Sequence, residues 1–353
     1  MQTRLITTEK ELLSLREQWN ELIEGNPKTD FPFFSWEWFY YSWQYAGSPE
    51  IFVVLTMENE KIVGILPLIK TQVKKRGIPF RQLSFCPNGN TPRNSLYVSS
   101  TKTESESEVI NAIFERLHSE KKHWDMIALT NIEQSTPLHT VLSQAKENPI
   151  YRFVIQEPGR VSPYIAIRDY ASFDDYMLKI VSTRRRTKMR RDMKRLDETN
   201  KPWAIKHYES SERMIDGVQD MWSVIEKSWK AAPSSKFMAF FENVCRDPYL
   251  SRFVRIDILY LEDAPIASQF YLIKNGLSFM CLNDHDSQYR NSIIPGSNLT
   301  TLMLKYAFEN RWSEFSFSGE SYEYKTRLAS SVDFSFSISD IQRWRKIAFD
   351  LLG

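Results

Sequence analysis

Apolar positions along the chain follow two periods, one of about 3.6 residues and one of about two. Apolar residues spaced at i, i+3 or i+4, and i+7 predict helices. These helices are expected at residues 107–121, 174–181, 183–199, 212–230, 236–245 and 297–310. Runs of β-branched and aromatic residues predict strands at 124–130, 253–261, 265–273, 277–282, 312–317 and 334–338. The pattern therefore predicts a mixed α/β (α+β) fold.

An internal repeat gives this pattern a domain organisation. Residues 55–70 align without a gap with residues 259–274, and six of the sixteen positions are identical. Each copy predicts two strands joined by a short polar turn, and a helix and a further strand follow each copy in the same order. We therefore expect two copies of one fold, an N-terminal domain over residues 1–158 and a C-terminal domain over residues 159–353.

Composition excludes several classes of protein. A chain of 353 residues with 42% hydrophobic and 25% charged residues is typical of a globular protein. The eleven glycines form neither a GxGxxG nor a GxxxxGK[ST] motif, so the usual dinucleotide and P-loop sites are not expected. Three dispersed cysteines and five histidines without metal-like spacing predict neither a disulfide scaffold nor a metal site. The start lacks a signal-peptide pattern, which predicts a cytoplasmic protein, with attachment to the inner membrane surface left open.

Charge is concentrated in one segment. The formal net charge is +2, but residues 184–195 contain eight basic residues and one acid. Apolar residues at 189, 193 and 196 predict that this helix packs one face. The basic side chains predicted to bind anions are Arg184, Arg185, Lys188, Arg191 and Arg195. The anion is left open among a nucleotide sugar, a lipid-linked phosphate at a membrane surface, the 3′-phosphate of CoA and tRNA.

A second anion site is expected at the start of the helix predicted near residue 297. Pro295 and Gly296 end the preceding loop, and Ser297 or Asn298 can cap the helix. A helix that begins with glycine presents free backbone N–H groups at the positive end of its dipole. These four residues are therefore candidates for binding a phosphate, with an ordinary capped turn as the alternative.

Candidate catalytic groups follow the strand predicted at 312–317. Gly319 at its end permits close approach of a ligand, and Glu320 would then point into a crevice. The candidates for acid and base chemistry are Glu320, Asp286, Tyr324 and Lys325, with Asp284, His285, Tyr289 and Tyr322 also considered.

The order of these motifs resembles the CelD/BcsL-type branch of the GNAT acyltransferases, relatives of the Fem-type peptidoglycan aminoacyl transferases. The similarity covers roughly residues 5–340. It includes the aromatic segment 32–38, which contains Trp36, the segment 62–68, Ile294-Pro295-Gly296, and Gly319 with Tyr324-Lys325. The aromatic cluster around Trp36 is a candidate for stacking on sugar rings, with a core role as the alternative.

The resemblance implies two GNAT-like folds in tandem and an acyltransferase that uses an acyl-CoA, acetyl-CoA first, without a metal. By the resemblance, the helix that starts at Gly296 would receive the pyrophosphate of the donor, and the strands at 277–282 and 315–318 would flank its pantetheine. The usual GNAT loop has further glycines that this chain lacks. The acceptor implied is an amino or hydroxyl group of a saccharide or cell-envelope precursor.

Two further expectations concern the N-terminal copy of the repeat and the alternative functions. The first copy has acidic residues at 104 and 106 where the second has Pro-Gly, so the N-terminal domain is expected to be degenerate. The alternatives are a Fem-type aminoacyl-tRNA-dependent ligase and a non-enzymatic module that binds nucleic acid or an anionic membrane through the basic helix.

Overall fold

The chain divides into two compact units. The computed structural model describes residues 1–27, 29–86, 93–99, 106–133, 136, 138–139, 141, 154–156, 161–209, 211–319 and 322–342. The first unit comprises Met1–Val161 together with Phe334–Gly353, and the second comprises Ser162–Asp333. No helix in the described part of the chain is long and apolar enough to cross a membrane.

The first unit is a mixed sheet with helices. Its strands are β1 (Gln2–Ile6), β2 (Glu50–Glu58), β3 (Lys61–Lys75), β4 (Ile78–Phe85), β5 (Tyr97–Val98), β6 (Met126–Glu133), β7 (Val154–Gln156) and the last strand of the chain, β14 (Ser331–Ile341). Its helices are α1 (Glu9–Leu13), α2 (Arg16–Glu24), α3 (Trp36–Tyr45) and α4 (Glu106–Ser119). The strand order is β1-β2-β3-β4-β6-β14, with β5 on β3 and β7 on β14. Along this order only β4 and β6 run parallel.

The second unit repeats this architecture. Its strands are β8 (Val161–Ala166), β9 (Trp203–Tyr208), β10 (Val254–Leu261), β11 (Ala264–Lys274), β12 (Leu277–His285) and β13 (Glu314–Ser316). Its helices are α5 (Phe173–Lys179), α6 (Thr183–Asp197), α7 (Ser211–Glu226), α8 (Ser235–Arg246), α9 (Pro295–Glu309) and α10 (Glu323–Thr326). The strand order is β9-β10-β11-β12-β13-β8, and only β12 and β13 run parallel.

The predicted duplication is therefore confirmed by the order of pairings. In each unit four antiparallel strands are followed by one parallel neighbour and then by one antiparallel neighbour. A helix, α4 or α9, connects the two parallel strands. The repeated segments form the hairpins β2–β3 and β10–β11, each with a two-residue turn and a register shift two or three residues from that turn. Asn59 and Glu262 adopt positive φ at these turns, as a tight hairpin requires.

The sixth strand of the first unit departs from the predicted domain limits. Residues 334–353 were expected in the C-terminal domain, but β14 pairs with β6 of the first unit. The second unit takes its sixth strand from β8, at its own beginning. The physical reason is that local periodicity predicts a strand but does not reveal which sheet that strand joins.

Each unit has its own hydrophobic core. In the first unit, α4 packs so closely on β3 that a Cβ atom at Gly64 would lie 2.4 Å from Cγ1 of Val109. In the second unit, Leu299 and Met303 of α9 share a core cluster with Tyr271 and Met280 of the sheet. Helix α9 thus covers one face of β11 and β12, and this contact places the start of α9 relative to the end of β12.

Candidate functional site

A gap opens between the two parallel strands of the second unit. Strand β13 pairs with β12 only from Leu277 to Phe279, whereas β12 continues to His285 with β11 on its other edge. Beyond Phe279, β12 therefore has one edge without a strand partner among the described residues. We call the space beside residues 280–285 the strand gap.

The chain after β13 is held in a bend on the other side of the strand gap. Ser318, directly before Gly319, adopts φ 59°, in the left-handed region. Lys325 is buried, and its Nζ donates to the carbonyl oxygens of Phe317 at 2.8 Å and Gly319 at 3.0 Å. Lys325, predicted as catalytic, therefore stabilises this bend.

The first residues of helix α9 lie beside the end of β12. Its N-cap, Ile294, has φ 50° and ψ 59°, a left-handed conformation that β-branched residues rarely adopt. Pro295 and Gly296 follow. The backbone N–H groups of Ser297 and Asn298 bond to the carbonyl of Ile294, at 3.1 and 3.2 Å, whereas no partner of the Gly296 N–H is recorded in the described chain. The predicted phosphate site at Gly296 thus has an unpaired donor at the positive end of a fifteen-residue helix.

His285 lies directly against Gly296. A Cβ atom at Gly296 would be 2.9 Å from Nδ1 of His285, so the glycine leaves room for the imidazole. Burial lowers the pKa of His285 below its usual 6.5. A neutral imidazole suits this place because the positive end of a helix disfavours an imidazolium.

A polar network connects the start of α9 with Tyr324. Gln269 is fully buried and accepts a hydrogen bond from Tyr271 Oη at 2.5 Å. Its Nε2 donates to Thr300 Oγ1 at 2.8 Å and to Asn283 Oδ1 at 3.4 Å. Asn283 Nδ2 in turn donates to Tyr324 Oη at 3.3 Å. The amide of Asn283 is thereby fixed, and the hydroxyl hydrogen of Tyr324 must point away from Asn283.

The network also reaches the predicted phosphate site. Thr300 Oγ1 donates to the carbonyl oxygen of Gly296 at 2.9 Å. Sequence reasoning missed Gln269, Asn283 and Thr300. A usable signal was present for Gln269, which is a long polar side chain inside the mostly apolar strand β11.

The acidic candidates have different surroundings. Asp286 is buried, and its carboxylate accepts from the backbone N–H and Nε2 of Gln288, at 2.9 and 3.1 Å, so it caps a turn. Asp284 pairs with Lys230 at 2.9 Å. Tyr289 lies in the turn that Asp286 caps, and the exposed Tyr322 stacks on Tyr324 with ring centroids 6.3 Å apart. Glu320 lies outside the described residues.

Asn298 is buried at the contact between α9 and α6. Its Nδ2 donates to the carbonyl oxygens of Ile293 at 2.7 Å and Asp192 at 3.2 Å. The side chain predicted to bind the donor therefore holds two helices together. Trp36 is likewise buried, in the first unit, and its indole N–H donates to the carbonyl of Leu12 at 2.8 Å. The structure thus places Trp36 in a core rather than at a surface that binds a saccharide.

Only some of the basic side chains of α6 are paired or buried within the protein. Lys188 pairs with Asp192 at 2.5 Å. Arg185 is half-buried, and burial lowers the pKa of its guanidinium. Arg184, Arg191 and Arg195 have no recorded ion pair in the described chain, which leaves their charges available to an anion. Among the described residues, no group of three or more His, Cys, Asp or Glu side chains is placed to hold a metal ion.

Comparison with known structures shows the fold. FemX superimposes with a TM-score of 0.64 at 11% identity over 99% of both chains. The C-terminal domain of a protein named as a lysylphosphatidylglycerol synthetase, from Agrobacterium fabrum, gives 0.55 at 8% identity, over 97% of this chain and 95% of that one. L-PGS from Bacillus licheniformis gives 0.51 at 11% identity, over 98% and 96%. All three share the fold of this chain across nearly its whole length.

Comparison of sequences finds a family similarity within the second unit. A search of curated proteins finds no match. The family model of the acetyltransferase (GNAT) domain matches residues 183–326, which run from α6 to α10 and include the strand gap and the start of α9. Residues 183–326 are thus similar to a GNAT acetyltransferase domain, which supports the predicted enzyme class, an acyltransferase.

Proposed function

We propose that the second unit transfers an acyl group, acetyl first, from a CoA thioester to an amino or hydroxyl group of a saccharide or cell-envelope precursor. The observation that carries this proposal is the strand gap beside the start of α9. The amides of an extended pantetheine can pair with the open edge of β12 as an added strand does. The diphosphate of the same donor then meets the unpaired N–H of Gly296.

The transfer step requires one proton to leave the acceptor and one to reach the donor sulfur. The acceptor nitrogen or oxygen attacks the thioester carbon, the C–S bond breaks, and the thiolate is protonated. Tyr324 is the proposed proton donor, because Asn283 holds its oxygen and turns its hydrogen elsewhere. Glu320 is the proposed base for the acceptor, as its position next to Gly319 suggests.

The acceptor class rests on two kinds of support. The resemblance to the CelD/BcsL-type branch favours a saccharide or exopolysaccharide precursor. The similar fold of proteins named for lysylphosphatidylglycerol synthesis also favours an acceptor from the cell envelope. We propose the donor site in the second unit alone, because α4, the counterpart of α9, carries Glu106 and Glu108 in its first turn and these acids repel a phosphate.

Calorimetry with acetyl-CoA tests the donor site. Gly296→Glu places a carboxylate at the proposed phosphate site and drives a side chain into His285, so binding should be lost. Ser235→Glu is the matched control, because it puts the same acid in the first turn of α8, another helix of this unit. Equal binding by the wild-type protein and Gly296→Glu would refute the site.

A Fem-type ligase that uses aminoacyl-tRNA is the second candidate, favoured by the unpaired arginines of α6 and by the FemX-like fold. In the described part of the chain the longest helix is α7, with sixteen residues, so that part contains no long helical arm. Salt-sensitive tRNA binding together with absent acetyl-CoA binding would assign the site to this second function.

A further inference from the structure

A groove lined by apolar and charged side chains lies between α5, α6 and α9. It has a volume of about 310 Å³. Its apolar side chains are Phe173, Met177, Met189 and Met193. Methionine side chains are flexible and polarisable and adapt to apolar ligands of varied shape. The groove can therefore accept part of an apolar chain.

The lining of the groove carries positive charge. Arg186, Arg190 and Lys194 line it. Arg186 is fixed by hydrogen bonds to the carbonyl oxygens of Met177 at 3.1 Å and Val181 at 2.5 Å, so ordering its side chain costs nothing further on binding. Two acids also line the groove, and one of them, Asp197, accepts a hydrogen bond from the indole of Trp203 at 3.0 Å.

The exposed side of α6 adds charge without internal partners. Arg184, Arg190 and Arg191 are exposed, and no ion pair or hydrogen bond is recorded for them within the described chain. A purely solvating charged face would more usually alternate acids and bases at i and i+4, as Lys194 and Glu198 do at 3.1 Å.

On α5, the helix that precedes α6, an apolar side chain projects into solvent. Leu178 of α5 is 67% exposed, although its neighbour Met177 lines the groove. An exposed apolar side chain on α5, together with unpaired arginines on α6, matches the interfacial region of an anionic bilayer, where acyl chains lie beneath phosphates. A nucleic acid would use the arginines but would give neither Leu178 nor the methionines of the groove an apolar partner.

We propose that the surface formed by α5 and α6 binds a bilayer that contains anionic phospholipids, with Leu178 and the methionine-lined groove in contact with acyl chains. This surface belongs to the second unit but shares no residue with the part of β12 that borders the strand gap, and its binding does not depend on acyl transfer. An acceptor anchored in the bilayer would be brought to the enzyme by it.

Co-sedimentation with vesicles tests the proposal in the absence of any acyl donor. The full chain should bind vesicles of phosphatidylglycerol and phosphatidylcholine, bind pure phosphatidylcholine far more weakly, and dissociate as salt is raised. At about 1 kcal/mol for each basic residue near the surface, Arg190→Glu and Arg191→Glu should each weaken binding about thirtyfold. The matched control is Lys236→Glu, which reverses an exposed charge on α8 and should leave binding unchanged.

A second pair of variants tests the apolar contact. Leu178→Ser should weaken vesicle binding about fivefold, whereas Leu13→Ser, which changes a leucine of α1 that is 49% exposed, should not. Binding that is unaffected by Leu178→Ser would overturn the proposal. So would displacement by millimolar inorganic phosphate, which would indicate a site for a free anion, or equally tight binding of single-stranded RNA at the same salt concentration.

Discussion

Replacing Asn283 with leucine should slow acyl transfer without weakening donor binding. Asn283 Nδ2 donates to Tyr324 Oη at 3.3 Å, and leucine keeps the volume of the side chain while removing this donor. A neutral hydrogen bond contributes about 1 kcal/mol and one to a charged group about 2 kcal/mol. If Tyr324 gives its proton to the thiolate, negative charge develops on its oxygen and the bond gains about 1 kcal/mol in the transition state. We therefore expect kcat to fall about fivefold, with KM for acetyl-CoA unchanged.

The assay follows release of free thiol from acetyl-CoA, with glucosamine as the probe acceptor. Tyr324→Phe should reduce kcat about a hundredfold, because it removes the proton donor itself. Adding Asn283→Leu to Tyr324→Phe should then cause no further loss, since Asn283 acts through the Tyr324 hydroxyl. Multiplicative losses in the double variant, or a rise in KM alone, would refute the assignment. Gln269 keeps its 2.8 Å bond to Thr300 in each variant, so the melting temperature should change little.

Three other outcomes follow from groups outside this pair. Burial lowers the pKa of His285, so the unfolded chain takes up a proton at a higher pH than the folded chain. The free energy of unfolding therefore falls as pH decreases through about 6.5. His285→Gln should remove this pH dependence from urea-unfolding curves measured between about pH 5 and 7.5. Arg255 donates to both oxygens of the buried Asp257, at 2.9 and 3.0 Å, so Arg255→Leu should lower the free energy of unfolding by about 3–5 kcal/mol. Changing both Arg255 and Asp257 to leucine should recover much of the lost free energy of unfolding. A double variant that is as unstable as Arg255→Leu, or less stable, would contradict the reasoning. Ending the chain after Asp333 removes the part of β14 that pairs with β6, so calorimetry should show the unfolding of the first unit lost and that of the second retained.

The sequence predicted the elements well wherever their signal is local. Helix α9 was expected over 297–310 and is found at Pro295–Glu309, because apolar periodicity and the Pro-Gly start agree. Strand β12 was expected to end at residue 282 but continues to His285. Its last three residues are polar: Asn283 and His285 lie at the candidate site, and Asp284 pairs with Lys230. Three consecutive polar residues contradict the usual strand pattern. The strand β9 was missed because five of its six residues are partly or fully exposed.

The candidate site was only partly predictable. Gly296 could be predicted at the start of a helix because neighbouring residues in the sequence determine where a helix begins. Gln269, Asn283 and Thr300 belong to three elements, and only the tertiary fold brings them together. Lys325 and Asn298 were assigned to chemistry because residue type does not reveal whether a polar group is used inside the protein.

The position of β14 at the far end of the chain from the rest of the first unit has a consequence for how the protein is made. Ser335 of β14 pairs with Glu133 of β6, about 200 residues earlier in the chain. Because the ribosome adds roughly 5–20 residues per second, β14 is synthesised roughly 10–40 s after β6, and the edge of β6 lacks this strand during that time. The second unit, which is continuous in sequence and includes its own β8, can finish folding first. The N-terminal half of the chain is therefore the last to be completed during biosynthesis.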